Sequence, residues 1–217
     1  PTVLNTINDK GLQKLFYKNN GFPTSDFILV ENKVEVLQLI ELGKIKYPFV
    51  QKLRKGGYDG RGVSIINSMH DHQLMFDAPC VIEEKIEIKK ELAVIAARSV
   101  NGEVKLFPAT EMQFHPTANL VEYLFAPASV DSEINEKLMN ITQSITEKLD
   151  IVGLLAIEYF LDANDNIIVN EMAPRPHNSG HHTIEANQTS QFEQHLRAIL
   201  GLPLGNTEMI YPSAMVN

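Results

Sequence analysis

Apolar residues recur along this chain in two rhythms. From Ser132 to Leu149, Ile134, Leu138, Ile141, Ile145 and Leu149 repeat at helical spacing, which predicts an amphipathic helix laid on a sheet. NDKGLQKLFYKNNG (8–21) reads as a shorter helix, capped by Asn8, with Leu12, Leu15 and Phe16 as its stripe and Gly21 as its end. ENKVEVLQLIELGK is another helix, stopped by Gly43. Ser190 with Glu193 predicts a capping box for a helix through Leu200, closed by Gly201 and Pro203.

Between these helices lie strand-like runs: YPFVQKL (47–53), VSIIN, CVIEEKI and KELAVIAARSV. Asn101–Gly102 is a hairpin signal leading into EVKLFPAT. VGLLAIEYFL and NIIVNEM read as two buried strands around DANDN. Strand pairs separated by single helices, with hairpins throughout, predict an α+β fold in two small lobes.

Composition narrows the function classes. At 217 residues, 44% of them apolar and 21% charged, the chain can form a real core. Its net charge of −8, with no Lys/Arg cluster, argues against a nucleic-acid surface. An acidic protein that binds an anion must concentrate its positive charge locally. Cys80, the only cysteine, excludes an intramolecular disulfide, fits a reducing, cytoplasmic setting and reads as a buried small hydrophobe. No apolar run has the length of a membrane span and no signal peptide is visible, so no membrane partner is expected. The chain starts at Pro1 and stops at YPSAMVN, which reads as an internal piece of a longer protein.

Three segments carry candidate chemistry. KLRKGGYDGRGV (52–63) holds four glycines within seven residues, leaving backbone N–H groups able to turn inward around phosphate oxygens. Lys52 and Arg61 supply charge. A strand follows rather than a helix, so this is neither a Walker loop nor a dinucleotide fingerprint. A long hairpin loop with solvated charges is the plainer alternative. In the second segment, pairing Asp162 with Ile167 across the turn places Glu158 opposite Glu171 on one face of a hairpin. Facing carboxylates repel unless a hard cation such as magnesium lies between them. A shifted register would instead send one of them to solvent. In the third, VNEMAPRPHNSGHH, Pro174 and Pro176 present Arg175 just beyond Glu171, suited to an anionic substrate. His177, His181 and His182 lack the partners of a zinc site. They and Asn178 read as donors around an oxyanion, or as a polar loop.

Taken together, these segments resemble the ATP-grasp superfamily. GGYDGRG, NEMAPRPHNSGH and SQFEQHLRAILGLPLG are similar, within it, to the ATP-grasp portion of the carboxyaminoimidazole ribonucleotide synthase family, and the likeness covers nearly the whole chain. It implies an ATP-grasp fold, with two lobes of mainly antiparallel sheet. Residues 1–22 would be an entry helix from an N-terminal domain, 23–88 the small lobe, 89–205 the large lobe, and 206–217 the start of a C-terminal subdomain. The resemblance matches Lys10 and Lys52 to nucleotide-contacting bases. It matches Gly57, Tyr58, Asp59, Gly60, Arg61, Gly62 and Val63 to the loop over the phosphates, with Tyr58 also able to reach substrate. Glu83, Glu84, Lys85 and Ile86 match the hinge strand that reads adenine, and Glu91 matches the acid on the ribose. His115 matches a nucleotide-side histidine one residue later than the usual spacing. Asn170 lies beside Glu171, and Glu158 and Glu171 match magnesium ligands. Arg175, His177, Asn178 and His181 match the bicarbonate or acceptor side, with Arg175, His177 and Tyr58 as the catalytic candidates. The superfamily often has Asn where Ala173 stands, and an aromatic residue is common at His182.

The implied activity is an ATP-dependent carbon–nitrogen ligase of purine biosynthesis. It would use ATP, magnesium, bicarbonate and aminoimidazole ribonucleotide, and work as a homodimer at full length. A ligase with another acyl donor and a non-catalytic nucleotide-binding module are the competing readings. Glu158, Glu171 and Arg175 together speak against the second of these.

Overall fold

The computed structural model describes residues 2–57, 62–114 and 121–217. By its internal contacts the chain divides into Asn5–Glu87 and a larger unit of Ile88–Asn217 with the residues before Asn5. The first elements are α1 (Thr2–Ile7), α2 (Lys10–Asn19), β1 (Phe27–Val30), α3 (Lys33–Glu41), β2 (Phe49–Leu53), β3 (Val63–Ile66) and β4 (Cys80–Glu84). The larger unit holds β5 (Ile88–Arg98), β6 (Val104–Leu106), β7 (Thr110–Phe114), β8 (Val121–Ala126), α4 (Ser132–Leu149), β9 (Gly153–Asp162), β10 (Ile167–Ala173), α5 (Thr183–Ala186), α6 (Gln191–Leu200) and β11 (Ser213–Val216).

In the smaller unit the strands run in the order β1-β4-β2-β3, every neighbouring pair antiparallel. Side chains alternate across a sheet, so Val30, Phe49, Ile66, Cys80 and Ile82 face one way and close a core with Val36 of α3 and Ile45. Lys52 and Glu83 face the other way, where α2 lies. Cys80 is fully buried, as its apolar neighbours predicted.

Helix α2 departs from its sequence pattern in two respects. Its cap is Asp9 rather than Asn8: the Asp9 carboxylate accepts from Gly11 N at 2.9 Å and Leu12 N at 3.1 Å. It also accepts from Arg54 Nε and Nη2, each at 2.9 Å, a bidentate pairing that a neutral amide cannot match. The buried face is Gly11, Gln13, Lys14 and Tyr17, whereas Leu12 is exposed. The polar groups win because each is paired: Tyr17 Oη donates to Gln13 Oε1 at 3.0 Å, and Gln13 Nε2 donates to the Ile7 carbonyl.

The larger unit is built on a seven-stranded sheet ordered β10-β9-β5-β7-β8-β11, with β6 also on β5. Its strands pair antiparallel throughout. The unbroken run LAVIAA in β5 is buried on both faces, as a central strand requires. On one face α4 buries Ile134, Leu138, Ile145 and Leu149 as the periodicity predicted, with Thr142 in the stripe where Ile141 was expected. Thr142 Oγ1 donates to the Leu138 carbonyl at 2.8 Å and meets Tyr159 Oη at 2.7 Å, so neither hydroxyl is stranded in the core. The opposite face holds Ile95, Ala97, Phe107, Leu154 and Ala156. Ser190 caps the start of α6, its hydroxyl accepting from Glu193 N at 3.2 Å, and Gly201, with φ +69, caps its end.

Candidate functional site

In the smaller unit a buried ionic cluster forms where three elements meet. Lys52 stands opposite Val81, and Val50 opposite Glu83, so Lys52 and Glu83 leave the same face of the sheet. Lys52 Nζ pairs with Glu83 Oε2 at 2.7 Å, and Lys14 Nζ of α2 pairs with Glu83 Oε1 at 2.8 Å. The Lys14 ammonium also donates to Thr24 Oγ1 at 2.7 Å and Ser25 Oγ at 2.8 Å. Burial drives the Lys14 pKa down to about 8, and the neighbouring Lys52 charge adds to that against the pull of Glu83. Burial opposes the charge on Glu83, but the Lys52 and Lys14 ammonium groups outweigh it and hold its carboxyl below the usual range.

The glycine-rich loop leaves this sheet between β2 and β3. Its neck is tight: Leu53 N donates to the Gly62 carbonyl at 2.8 Å. A Cβ on Gly62 would come within 3.0 Å of the Gly57 Cα, and Gly62 has φ +91, so both crowding and dihedral require glycine there. Tyr58, Asp59, Gly60 and Arg61 lie outside the described residues, as does His115. Lys10 is half-buried in the first turn of α2. β4 stops at Glu84, so Lys85 and Ile86 follow the strand expected to contain them. A cavity of about 560 Å³ opens beside this strand end, lined by Phe27, Ile28, Phe49, Ile82, Glu83 and Lys85 among others.

In the larger unit the β9–β10 hairpin carries the acidic pair. The turn does not start with the expected Asp162–Ile167 pairing; Ile167 pairs with Leu161, and Val169 with Tyr159. A bulge between Val169 and Glu171 then adds one residue, and Glu171 stands opposite Glu158. The facing carboxylates are therefore present, reached through an irregularity rather than a uniform ladder. The bulge has a second effect, since Asn170 and Glu171 are both half-buried between the buried Val169 and Met172. A regular strand would send two consecutive residues to opposite faces. Ala93 pairs with Glu158, and Glu91 with Phe160, so Glu91 shares the face of the two glutamates.

The segment after Glu171 folds back onto that face. His177 Nε2 reaches Glu158 Oε1 at 3.1 Å, while His177 Nδ1 accepts from Ser179 N at 3.3 Å and meets Ser179 Oγ at 2.9 Å. A ring nitrogen that accepts from the backbone leaves the proton on the other, so Nε2 donates to the carboxylate. The His177 backbone is itself pinned, its N–H donating to Gln191 Oε1 at 2.9 Å and its carbonyl accepting from Gln191 Nε2 at 2.8 Å. Gly180 makes this fit possible, because a Cβ there would sit 2.4 Å from Ile95 Cδ1 and 2.6 Å from Gln191 Oε1. Arg175 is exposed, with Nη1 donating to the Pro176 carbonyl at 3.0 Å. Asn178 opens the short turn 178–180. His181 stacks on Phe192 at 5.8 Å between ring centroids.

Among the described residues no three His, Cys, Asp or Glu side chains gather as a metal cluster. Two facing carboxylates nevertheless suit magnesium, which takes one or two protein carboxylates and completes its shell with water and substrate phosphates. The sequence reading missed Lys14 and Gln191. Lys14 falls in register with Gly11 and Tyr17 at three-residue spacing, but a lysine on a short helix ordinarily reads as solvated.

Lys14 of α2 and Lys52 of a small antiparallel sheet share one buried carboxylate beside a glycine-necked loop, and a larger antiparallel sheet carries a facing carboxylate pair; this is an α+β arrangement of the ATP-grasp type. Residues 15–192 match the ATP-grasp domain, and the chain belongs to that family. It is 38% identical over 219 residues to the N5-carboxyaminoimidazole ribonucleotide synthase of Bacillus subtilis, covering 99% of this chain and 57% of that protein. Among solved structures, the Aspergillus clavatus carboxyaminoimidazole ribonucleotide synthase complexed with ATP superposes with a TM-score of 0.91 at 34% identity, covering 100% of this chain and 58% of that one. The Aspergillus clavatus enzyme in complex with ADP and 5-aminoimidazole ribonucleotide gives a TM-score of 0.88 at 30% identity, with 100% and 58% coverage. The chain thus spans little more than half the length of these relatives, 57% in the first case. No helix among the described residues is long and apolar enough to cross a membrane.

Proposed function

We propose that this chain is the ATP-binding and metal-binding part of a cytoplasmic ligase that carboxylates aminoimidazole ribonucleotide. Bicarbonate oxygen attacks the terminal phosphorus of ATP, the bond to the bridging oxygen breaks, and carboxyphosphate and ADP form. The exocyclic amine of the ribonucleotide then takes the carboxyl group, directly or as carbon dioxide, and phosphate leaves. The observation that carries this reading is the facing of Glu158 and Glu171 across a bulge that turns Asn170 to the same side. Further support comes from the relative that binds ADP together with 5-aminoimidazole ribonucleotide.

In this reading Lys52 and Lys10 contact the phosphates and residues 57–63 cover them. Glu83 to Ile86 read adenine, Glu91 takes the ribose hydroxyls, and His115 belongs to the nucleotide side. Glu158 and Glu171 hold magnesium, which when bound neutralises charge on the phosphate oxygens. His177 fixes the Glu158 carboxylate by its hydrogen bond and, with Arg175, Asn178 and His181, orients the small anion. Tyr58 reaches toward the acceptor. The work of these groups is positioning two mutually repelling anions and excluding water from a labile anhydride, not covalent catalysis.

Calorimetric titration with a non-hydrolysable ATP analogue tests the assignment. Binding should require magnesium, and Glu171→Gln should weaken it by about tenfold or more, the loss of one charge-assisted contact. Equal affinity of wild type and variant would remove Glu171 from the metal site.

A further inference from the structure

The buried lysine Lys14 has no place in the function just described, yet it is among the most completely engaged side chains of the smaller unit. It is 2% exposed, and each of its three ammonium protons has an acceptor: Thr24 Oγ1, Ser25 Oγ and Glu83 Oε1. An ammonium sealed from water is strongly unfavourable to bury unless such partners are in place. A fold needing only an apolar contact between α2 and the sheet would place a leucine or methionine there at lower cost. The cost is explained if the charge acts on something, and its one carboxylate contact among the described residues is Glu83. The other oxygen of that carboxylate, 2.7 Å away, holds Lys52 Nζ.

We propose that Lys14 is a positioning residue: it clamps the Glu83 carboxylate so that the carboxylate in turn sets the Lys52 ammonium for a nucleotide phosphate. The inference rests on the reading of Lys52 as a phosphate contact. The clamp joins three separate elements, with Lys14 on α2, Glu83 on β4 and Lys52 on β2. Thr24 and Ser25, in the segment leading into β1, hold the Lys14 end in one rotamer. Glu83 cannot rotate to follow Lys52 while one oxygen is held, and a long lysine side chain loses its several rotamers only when its tip is fixed. A pre-set ammonium binds phosphate without that ordering cost. Burial and the nearby Lys52 charge lower the affinity of Lys14 for its proton, as expected of two ammonium groups brought to one carboxylate.

The test is ADP affinity by calorimetry in four full-length chains: wild type, Lys14→Met, Lys52→Ala, and the two substitutions together, with thermal midpoints as a check on folding. Lys14→Met should weaken ADP by about tenfold. In the Lys52→Ala background it should change nothing, because the group it positions is gone. Wild-type affinity in Lys14→Met, or an equal loss in both backgrounds, overturns the clamp. If Lys14→Met does not fold, Thr24→Val with Ser25→Ala unseats the ammonium without removing it. That variant should weaken ADP about threefold, and an unchanged affinity overturns the proposal. A wild type that binds no ADP, or a Lys52→Ala chain that binds as well as wild type, would instead overturn the phosphate reading of Lys52, and the clamp with it.

Discussion

His182 shows how much a single buried side chain can govern. It is 9% exposed, and its Nδ1 has no hydrogen-bond partner among the described residues. Burial drives its pKa down to about 4; a backbone hydrogen bond with Ser179 resists this and the charge of His181 adds to it. The ordinary value is 6.5, so between pH 6.5 and 4 the unfolded chain holds more protons than the folded one. Stability therefore falls as pH falls through that window. Urea unfolding followed across the same pH interval should show a shallower decline for His182→Leu than for wild type. Equal slopes would assign the acid sensitivity to other groups. Nothing in the sequence marks His182 as buried among the histidines of this segment, because enclosure is a property of the fold.

At the scale of elements, α2 sets the sharpest test of pattern against structure. Tyr17 is fully buried and Leu12 is 36% exposed, the reverse of what the Leu12, Leu15, Phe16 stripe implies. Tyr17→Ala should cost about 3–5 kcal/mol, the usual range for emptying an aromatic site, whereas Leu12→Ser should stay within about 0.5 kcal/mol. Denaturant midpoints of the two variants decide between the faces. Helix α4 was legible because its periodicity persists over 18 residues, and the β9–β10 hairpin because two apolar runs flank the polar turn DANDN. β1, β7 and β8 went unread: unlike β2 and β3, which flank the glycine-rich loop, the short runs FILV, TEMQF and VEYLFA have no glycine turn beside them. The facing of Glu158 and Glu171 was legible although the ladder leading to it was not, since a bulge changes register without changing composition. Lys14 was invisible for a different reason. A buried ionic clamp obeys no hydrophobic period, and its partners Glu83 and Thr24 are far apart along the chain.

The whole molecule divides its stability between two sheets, each with its own core. Val30, Val36, Phe49, Ile66 and Ile82 close the smaller one. In the larger, Leu138, Ile145, Leu155 and Ile157 are fully enclosed, and Ile95, Phe107 and Leu154 fill the opposite face. A core substitution is felt where packing atoms are lost, and distant sites without shared partners add independently. Val36→Ala and Leu138→Ala each empty a site with 0% exposure. The leucine should cost about 2–5 kcal/mol and the smaller valine less. Scanning calorimetry should then show Val36→Ala lowering one heat-absorption step and Leu138→Ala another, with the double variant showing both shifts at full size. A single step moved equally by either substitution would mean that the two units melt as one. In that case the affinity losses expected at Lys14 and Glu171 would have to be read against a shared change in stability, and measured well below the melting range, before either is assigned to its own site.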